Sequence, residues 1–200
     1  MTLIGICGGT GSGKSTLTKK LEDHFKNKGV VKILSDSYYK NHINLNFKER
    51  SKINFDHPDA IDFEFLLKNL KDLKKNKKIK DPIYSYKIHK RLKKGNTVYS
   101  KNIVIVEGLH IFCDKRIVDL IDFKIFLDID EKTRLKRRIE RDVIFRGRSK
   151  YEIEERFFSM CKPMHENYIN TSKKHADKIL NSKDISLINI LNLISEKVIC

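Results

Sequence analysis

Four apolar runs in the sequence are continuous rather than alternating, and each has the length of a single strand. They cover residues 3–7, 30–34, 103–106 and 123–127. Continuous apolar runs are typical of strands that are covered on both faces of a parallel sheet. Between these runs, residues 16–28, 63–73 and 131–146 carry apolar side chains at helical spacing. Strands that alternate with helices predict an α/β fold.

The remaining segments complete this outline. Ser149 and Glu152 have the spacing of a capping box, which predicts a helix from there to about residue 168. A last short strand is predicted near residues 178–180, and a final helix at about 185–199. Residues 36–62 and 82–98 are polar, aromatic and irregular, and we expect substrate contacts there. Because no repeat or linker interrupts the chain, we expect residues 1–200 to form a single domain.

The composition narrows the class of protein only partly. The chain has 42 Lys and Arg against 26 Asp and Glu, a net charge of +16 that suits nucleic acid, an acidic membrane or a phosphate site. Lysines crowded within residues 71–80 are expected to form a solvated helix end and loop. The four cysteines form no C-x-x-C pair, so neither a zinc site nor a disulfide framework is predicted. Without a signal peptide or an apolar run of roughly 20 residues, a soluble, cytoplasmic protein is expected.

The most specific chemical signal is a glycine-rich motif between the first predicted strand and the first predicted helix. It matches G-x-x-x-x-G-K-[ST], and we call residues 8–16 the phosphate loop. Backbone N–H groups of such a loop surround phosphate oxygens, while its lysine reaches the terminal phosphates and its serine holds magnesium. GTPases, motors and small-molecule kinases share the motif, so it leaves the acceptor open. Its residues are Gly8, Gly9, Thr10, Gly11, Ser12, Gly13, Lys14, Ser15 and Thr16.

Two carboxylates follow predicted strands, at the sheet edge where ligands of open α/β folds bind. Asp36 either accepts a proton from a hydroxyl group or closes the strand as an Asx-turn residue, and local sequence leaves both open. Glu107 is a candidate magnesium partner by analogy with the acidic residue that accompanies such loops. The alternative is an exposed charge at the strand end. The seven histidines include no pair with metal-ligand spacing, so any metal is expected to be magnesium carried with a nucleotide.

The predicted helix at residues 131–146 carries a basic stripe. Its opposite side carries Leu135, Ile139 and Val143, which we expect to be the buried side. Guanidinium groups bind phosphate oxygens in pairs, so a mobile arginine helix could close over a transferring phosphoryl group. A solvated basic face is the alternative. The arginines concerned are Arg134, Arg137, Arg138 and Arg141, with Arg146 and Arg148 at the end of the helix.

Taken in order, these motifs resemble those of the uridine kinase (uridine/cytidine kinase) family of P-loop kinases, from about residue 4 to 179. The block at residues 54–60, Asn-Phe-Asp-His-Pro-Asp-Ala, is far more specific than the phosphate loop. Other matching segments are residues 36–39, 82–91, 107–108 and 137–148. The resemblance implies a three-layer P-loop NTPase-type fold with a mostly parallel five-stranded sheet. It also implies a small β-hairpin substrate insertion at about 79–100 and a helical, arginine-rich lid at about 131–150.

The resemblance further implies transfer of the γ-phosphoryl group of ATP, or GTP, with Mg²⁺, to the 5′-hydroxyl of uridine or cytidine. UMP or CMP for pyrimidine salvage would result. It implies that Asp36 is the general base, that Lys14 contacts the reacting phosphates and that Asp56 holds the ribose hydroxyls. Tyr84 and His89 would recognise the base. Other implied contacts are Tyr39, Arg138, Arg148 and Arg156 with the acceptor, and Arg141, Arg146 and Arg148 with phosphates.

Two departures from the family pattern keep details open. Arg156 stands where the family has a glutamine among its nucleoside contacts, which leaves the preference between uridine and cytidine open. Residues 179–183 replace a family turn near the nucleotide base, which leaves the choice of ATP or GTP open. The resemblance also suggests a homotetramer and inhibition by CTP or UTP.

Other functions are weighed against this resemblance. A P-loop kinase acting on phosphoribulose or pantothenate is disfavoured by Tyr84 and His89, and a catalytically silent relative by Lys14 and Asp36. The net charge motivates a nucleic-acid-binding NTPase, but the sequence contains no nucleic-acid module. We therefore expect neither a nucleic-acid nor a membrane partner.

Overall fold

In a computed structural model of the protein, which describes residues 1–181, 191 and 194, strands and helices alternate as the apolar runs predict. The strands are β1 (Thr2–Gly8), β2 (Val30–Leu34), β3 (Ile79–Asp81), β4 (Tyr84–Ser85), β5 (Lys90–Arg91), β6 (Asn96–Val98), β7 (Ile103–Gly108), β8 (Phe123–Leu127) and β9 (Lys178–Leu180). The helices are α1 (Lys14–His24), α2 (Phe47–Ser51), α3 (Phe63–Lys74), α4 (Lys115–Val118), α5 (Glu131–Arg146), α6 (Lys150–Arg156), α7 (Lys162–Met164) and α8 (Asn170–Ser172).

Five strands form one parallel sheet in the order β2-β7-β1-β8-β9. β1 therefore lies between β7 and β8: the connection after β1 leads to β2 on one side of it, and the connection after β7 crosses to β8 on the other side. In open α/β sheets such a point of reversal opens a crevice at the carboxyl ends of the strands, where ligands bind. The predicted α/β fold with a mostly parallel five-stranded sheet is confirmed.

Helices cover both faces of the sheet, which explains why the strand sequences are continuously apolar. In β1, Leu3 packs in a core cluster with Leu70 of α3. The next residue, Ile4, packs in a second cluster with Leu17 of α1. Because alternate side chains of a strand point to opposite faces, burial on both sides requires an apolar residue at every position. The result is a three-layer arrangement of helix, sheet and helix.

The segment between α3 and β7 forms the predicted hairpin insertion, at residues 79–98. β3 pairs with β6 and β4 pairs with β5, both antiparallel. At the tip, His89 has a φ of 48°, in the left-handed region that residues other than glycine seldom adopt. The insertion lies against the turn after β2, because the Tyr38 hydroxyl donates to Asp81 at 2.9 Å.

The helical run near the carboxyl end begins where the sequence predicts and ends later. The Ser149 hydroxyl accepts the backbone N–H of Glu152 at 3.2 Å, which caps α6. Two π-helical segments, Phe157–Cys161 and His165–Ile169, join α6, α7 and α8 into one run that ends at Ser172 rather than near residue 168. The predicted helix at about 185–199 lies outside the described residues, apart from Leu191 and Ile194, which are helical. In the described part of the chain, no helix could span a membrane.

Helix α5 turns its basic side inwards, which contradicts the expectation from the sequence. Its buried residues are Arg134, Arg138 and Asp142. Val143, on the side expected to be buried, is 44% exposed. The reason is that α5 covers the crevice at the sheet edge, where buried guanidinium groups find hydrogen-bonding and charged partners. The prediction of a buried side formed by Leu135, Ile139 and Val143 was wrong.

Candidate active site

A cavity of about 290 Å³ opens at the carboxyl ends of β2 and β7, beside the phosphate loop that follows β1. Its walls come from the phosphate loop, the turn after β2, the hairpin insertion, α5 and α6. The structure brings all the residues that were expected to contact the acceptor to this cavity: Asp36, Tyr39, Asp56, Tyr84, His89, Arg138, Arg148 and Arg156. Among those expected to contact phosphate or magnesium, Thr10, Lys14, Ser15, Glu107, Arg141 and Arg146 line it as well.

The side chain of Lys14, at the amino-terminal end of α1, lies against the phosphate loop. Gly13 has a φ of 94° and precedes α1 directly, and no side chain caps this helix, so its first N–H groups face the loop. The Lys14 ammonium donates to the carbonyls of Gly8 at 2.9 Å and Gly9 at 3.0 Å. Burial lowers the pKa of Lys14, while the carboxylates of Glu107 and Asp36 oppose that shift. Helix α1 thus begins at Lys14, two residues before the predicted start.

Glu107 lies at the end of β7 and accepts two hydroxyl hydrogen bonds from α1. Ser15 donates to its Oε1 at 2.8 Å and Thr18 to its Oε2 at 3.0 Å. Its side chain is buried, so the alternative of an exposed strand-end charge is wrong. A hydroxyl and a carboxylate beside a phosphate loop are the hard oxygen ligands that magnesium prefers.

These residues fit a magnesium ion that is shared with a nucleotide. The described part of the chain contains no group of three or more His, Cys, Asp or Glu that could hold a metal alone. Magnesium commonly takes one or two protein ligands and completes its shell with phosphate oxygens and water. Ser15 and Glu107 would supply the protein ligands.

Asp36 lies in the turn Ser35–Tyr38 directly after β2, and its carboxylate faces the cavity. Its Oδ2 accepts a hydrogen bond from the Tyr86 hydroxyl at 3.3 Å. Burial raises the pKa of Asp36 above its usual value, Lys14 opposes this shift and Asp56 adds to it. A carboxylate with a raised pKa is a stronger proton acceptor once it is ionised. This environment suits general-base chemistry better than the closing of a turn.

Asp56 and Arg138 connect the two ends of the cavity. The Cys161 thiol donates to Asp56 Oδ2 at 3.1 Å, and burial together with this carboxylate raises the pKa of Cys161 to about 12. Arg138 Nη1 lies 3.9 Å from Asp56 Oδ1 and donates to the Thr10 hydroxyl at 3.1 Å. One guanidinium therefore contacts the phosphate loop and lies next to a carboxylate of the specific 54–60 block.

Aromatic rings form a slot at the end of the cavity away from the phosphate loop. Phe55 stacks on His89 with ring centres 5.2 Å apart and planes 11° from parallel. Tyr39 packs edge-on against Tyr84 at 5.1 Å. Burial lowers the pKa of His89, as do nearby arginines, and this shift favours the neutral imidazole. A slot of uncharged rings suits a flat heteroaromatic group.

Two arginines of the lid, Arg141 and Arg146, share the carboxylate of Asp142 as a partner. Arg141 Nε donates to Asp142 Oδ1 at 2.7 Å, and Arg146 Nε lies 3.4 Å from the same oxygen. Arg146 also lies over the Tyr86 ring, 5.0 Å from its centre. Arg148 is 3.8 Å from Glu152. These guanidinium groups line the same cavity as the carboxylates of Asp36 and Glu107 at the sheet edge.

A family model described as "Phosphoribulokinase / Uridine kinase family" matches residues 3–189. The chain belongs to this family. A protein of Clostridium novyi named "Uridine kinase" is 44% identical over 178 residues, 89% of this chain and 86% of that protein. A protein of Bacillus subtilis with the same name is 40% identical over 178 residues, 89% of this chain and 84% of that protein. Membership of this family indicates an ATP-dependent kinase.

Solved structures of other kinases share the fold at low sequence identity. D-glycerate 3-kinase from Cryptococcus neoformans superimposes with a TM-score of 0.64 at 15% identity, over 92% of this chain and 87% of that one. Phosphoribulokinase from Rhodobacter spheroides gives a TM-score of 0.62 at 13% identity, over 90% of this chain and 69% of that one. These likenesses show the P-loop kinase fold of the chain.

Several site residues were given no role on sequence grounds. Phe55 and Tyr86 lie within the segments that carry the family resemblance, so inspecting those segments could have found them. Thr18, Cys161 and Asp142 carry no local signal. Each becomes a site residue only because a partner distant in sequence, or on the next helical turn, lies within hydrogen-bonding distance.

Proposed function

We propose that this family member is a uridine/cytidine kinase, which transfers the γ-phosphoryl group of ATP, or GTP, to the 5′-hydroxyl of uridine or cytidine. The observation that carries this proposal is the position of Asp36. Its carboxylate lies in one cavity with the phosphate loop on one side and the slot of Phe55, Tyr84 and His89 on the other. A hydroxyl group attached to a ring in that slot would reach Asp36 and the terminal phosphate together.

The chemistry follows from the contacts of the cavity. Asp36 accepts the proton of the 5′-hydroxyl while the 5′-oxygen of the nucleoside forms a bond to the γ-phosphorus. The bond from that phosphorus to the oxygen that bridges it to the β-phosphate breaks, which releases ADP. Lys14 and the lid arginines, Arg141 and Arg146, stabilise the charge on the phosphate oxygens. Ser15 and Glu107 would hold Mg²⁺, which neutralises charge on the same oxygens when it is bound.

Recognition of the nucleoside divides between a ribose end and a base end. Asp56 lies beside Arg138 and the Cys161 thiol, and its carboxylate is an acceptor for two neighbouring ribose hydroxyls. The slot lined by Tyr84 and His89 would stack on a pyrimidine. Arg148 and Arg156 supply donors at the same end. The relatives named "Uridine kinase" support the same acceptor.

The wider role follows from this reaction. UMP or CMP is the product, and the reaction serves pyrimidine salvage in the cytoplasm. We propose that residues 1–200 form one kinase domain that assembles as a homotetramer and requires neither nucleic acid nor a membrane.

An assay of ADP release over a panel of acceptors tests the proposal. With ATP and Mg²⁺, uridine and cytidine should be phosphorylated far faster than adenosine, guanosine or ribulose 5-phosphate, and chromatography should identify UMP and CMP. Turnover with ribulose 5-phosphate but not with uridine would assign the chain to another acceptor. Replacing ATP with GTP in the same assay measures the donor preference.

A single substitution tests the general base. Asp36→Asn keeps the shape of the side chain but removes its capacity to accept a proton, so kcat should fall by about 10²–10⁴-fold. The Kd for ATP, measured by calorimetry, should change little because Asp36 is assigned no phosphate contact. Asp23→Asn on the exposed side of α1 is the matched control and should leave both values unchanged. Full turnover by Asp36→Asn would remove the assignment.

A further inference from the structure

The lid contains one completely buried carboxylate, that of Asp142 on α5. Its nearest charged partners are three arginines. Arg141 Nε donates to Oδ1 at 2.7 Å, Arg146 Nε is 3.4 Å from Oδ1, and Arg138 Nε is 3.6 Å from Oδ2. A single acidic side chain therefore lies at the centre of the basic cluster.

Asp142 also fixes the backbone at the end of the helix. Its carbonyl accepts the N–H of Gly147, which ends α5 with a φ of 62°, and the N–H of Arg148 at 3.3 Å. The main chain of Asp142 thus sets the turn that carries Arg148, while its side chain contacts the arginines before and after it.

The charges explain why such a residue is needed. Three guanidinium groups that converge on one carboxylate repel one another, most strongly around Arg138, which is buried, and less around Arg141 and Arg146, which are partly exposed. Burial acts to raise the pKa of Asp142. The hydrogen bond from Arg141 and the charges of Arg141, Arg146 and Arg138 together outweigh burial and lower the pKa below its usual value, so the group remains ionised. One buried negative charge therefore offsets part of the repulsion and gives each guanidinium a defined direction.

We propose that Asp142 is a positioning residue: its carboxylate holds Arg141 and Arg146 at the spacing in which they bind the phosphates of ATP, and it orients Arg138 beside them. The proposal rests on the proposed function in taking Arg141 and Arg146 as phosphate contacts. Arg138 extends the effect to the acceptor end, since it contacts Thr10 and lies 3.9 Å from Asp56. Asp142 itself does not line the cavity.

The proposal and simple charge attraction predict opposite changes in the affinity for ATP. Asp142→Asn makes the cavity more positive, which by simple attraction would strengthen the binding of ATP. If the carboxylate positions the arginines, the same change instead weakens ATP binding, by about tenfold for the loss of charge-assisted bonds. Glu140→Gln, an exposed position two residues away on α5, removes the same charge and is the matched control.

Calorimetric titration of the full chain with Mg²⁺–ATP, without any acceptor, measures these affinities. The Kd should rise about tenfold for Asp142→Asn and remain within about twofold for Glu140→Gln. An unchanged or tighter Kd for Asp142→Asn overturns the proposal. Because no acceptor is present, a failure to phosphorylate uridine would remove the proposed function without affecting this result.

A double-mutant cycle with Arg141→Gln separates positioning from general loss of structure. If Asp142 acts through Arg141, the effect of Asp142→Asn on the Kd should be much smaller in the Arg141→Gln protein. If the two effects multiply instead, Asp142 does not act through this arginine and the proposal fails. Should Asp142→Asn not fold, the same cycle with Asp142→Glu, which keeps the charge but displaces it by one methylene, is read by the same criterion.

Discussion

At the scale of single residues, the protonation of Asp36 governs when the proposed reaction can run. Its pKa is raised mainly by burial, and the groups that oppose this shift include Lys14 and the hydroxyl of Tyr86. A general base works only when ionised, so activity should be lost as the pH falls through the pKa of Asp36. Because that pKa is raised, the loss should begin at a higher pH than an exposed aspartate would give.

Tyr86→Phe tests this dependence. The substitution removes a hydrogen bond that favours the ionised carboxylate, so the pKa of Asp36 should rise further. The acid limb of the kcat/KM profile should therefore move to higher pH, while the value at the plateau changes less. Tyr99→Phe, at an exposed tyrosine, is the control and should leave the limb in place. A limb that stays where it is, or moves to lower pH, would contradict the role of Tyr86.

Arg156 offers a second test at this scale, because its side chain can donate hydrogen bonds but cannot accept them. It lines the base end of the cavity with Arg148 and His89. Uracil presents a carbonyl where cytosine presents an amino group, so donors alone favour uridine. We expect Arg156→Gln, whose amide both donates and accepts, to lower the uridine-to-cytidine ratio of kcat/KM by about tenfold.

The conservative substitution is the control for this prediction. Arg156→Lys keeps a donor-only cation and should retain most of the preference for uridine, even though its geometry differs. Competition between the two nucleosides in one reaction, followed by chromatography of UMP and CMP, measures the ratio directly. Equal ratios in the unaltered protein and Arg156→Gln would show that Arg156 does not select the base.

At the scale of elements, the sequence predicts those parts that local rules determine. The phosphate loop is a contiguous motif, and β1 and β7 carry continuous apolar runs at residues 3–7 and 103–106 because both of their faces are covered. Helix α5 shows where such rules fail. Periodicity separates its two sides, but which side faces inwards depends on partners that only the folded chain supplies, such as Thr10, which accepts a hydrogen bond from Arg138.

The phosphate loop and α5 pack so closely that one added methyl group would push them apart. Gly11 has a φ of 75°, and a Cβ at this position would collide with the backbone carbonyl of Arg134. Gly11→Ala should therefore displace the lid helix, weaken ATP binding at least tenfold and lower Tm, since backbone strain and collision both act. Calorimetry and thermal unfolding measure the two effects.

Gly29→Ala is a control that separates strain from collision. Gly29 has a φ of 76°, but a Cβ there would meet only the Lys101 side chain at 3.8 Å. It should cost about 1–2 kcal/mol of stability through backbone strain and leave the Kd for ATP unchanged. Equal losses of affinity at the two glycines would show that the contact between the loop and α5 does not matter.

At the scale of the whole molecule, the cavity joins segments that are far apart in the chain. Lys14, Asp36, Glu107 and Arg141 come from four elements and meet at one edge of the sheet. Part of the net charge of +16 lies on exposed lysines after α3, and part lies on the cationic groups of this cavity. A ligand that contacts all four elements should stabilise the fold as a whole, since unfolding any of them would release it.

Thermal unfolding with and without Mg²⁺–ATP measures this linkage. At a ligand concentration about 100 times Kd the added stability is about 2.7 kcal/mol. For a chain of this size that corresponds to a rise in Tm of about 5–10 °C. Lys14→Ala should abolish most of the rise because it removes the cation that reaches the terminal phosphates, whereas Lys20→Ala on the exposed side of α1 should retain it.

Glu107→Gln should reduce only the part of this rise in Tm that depends on magnesium, so ATP with and without the metal should then stabilise the chain almost equally. A large magnesium-dependent rise in that variant would place the metal ligands elsewhere in the cavity.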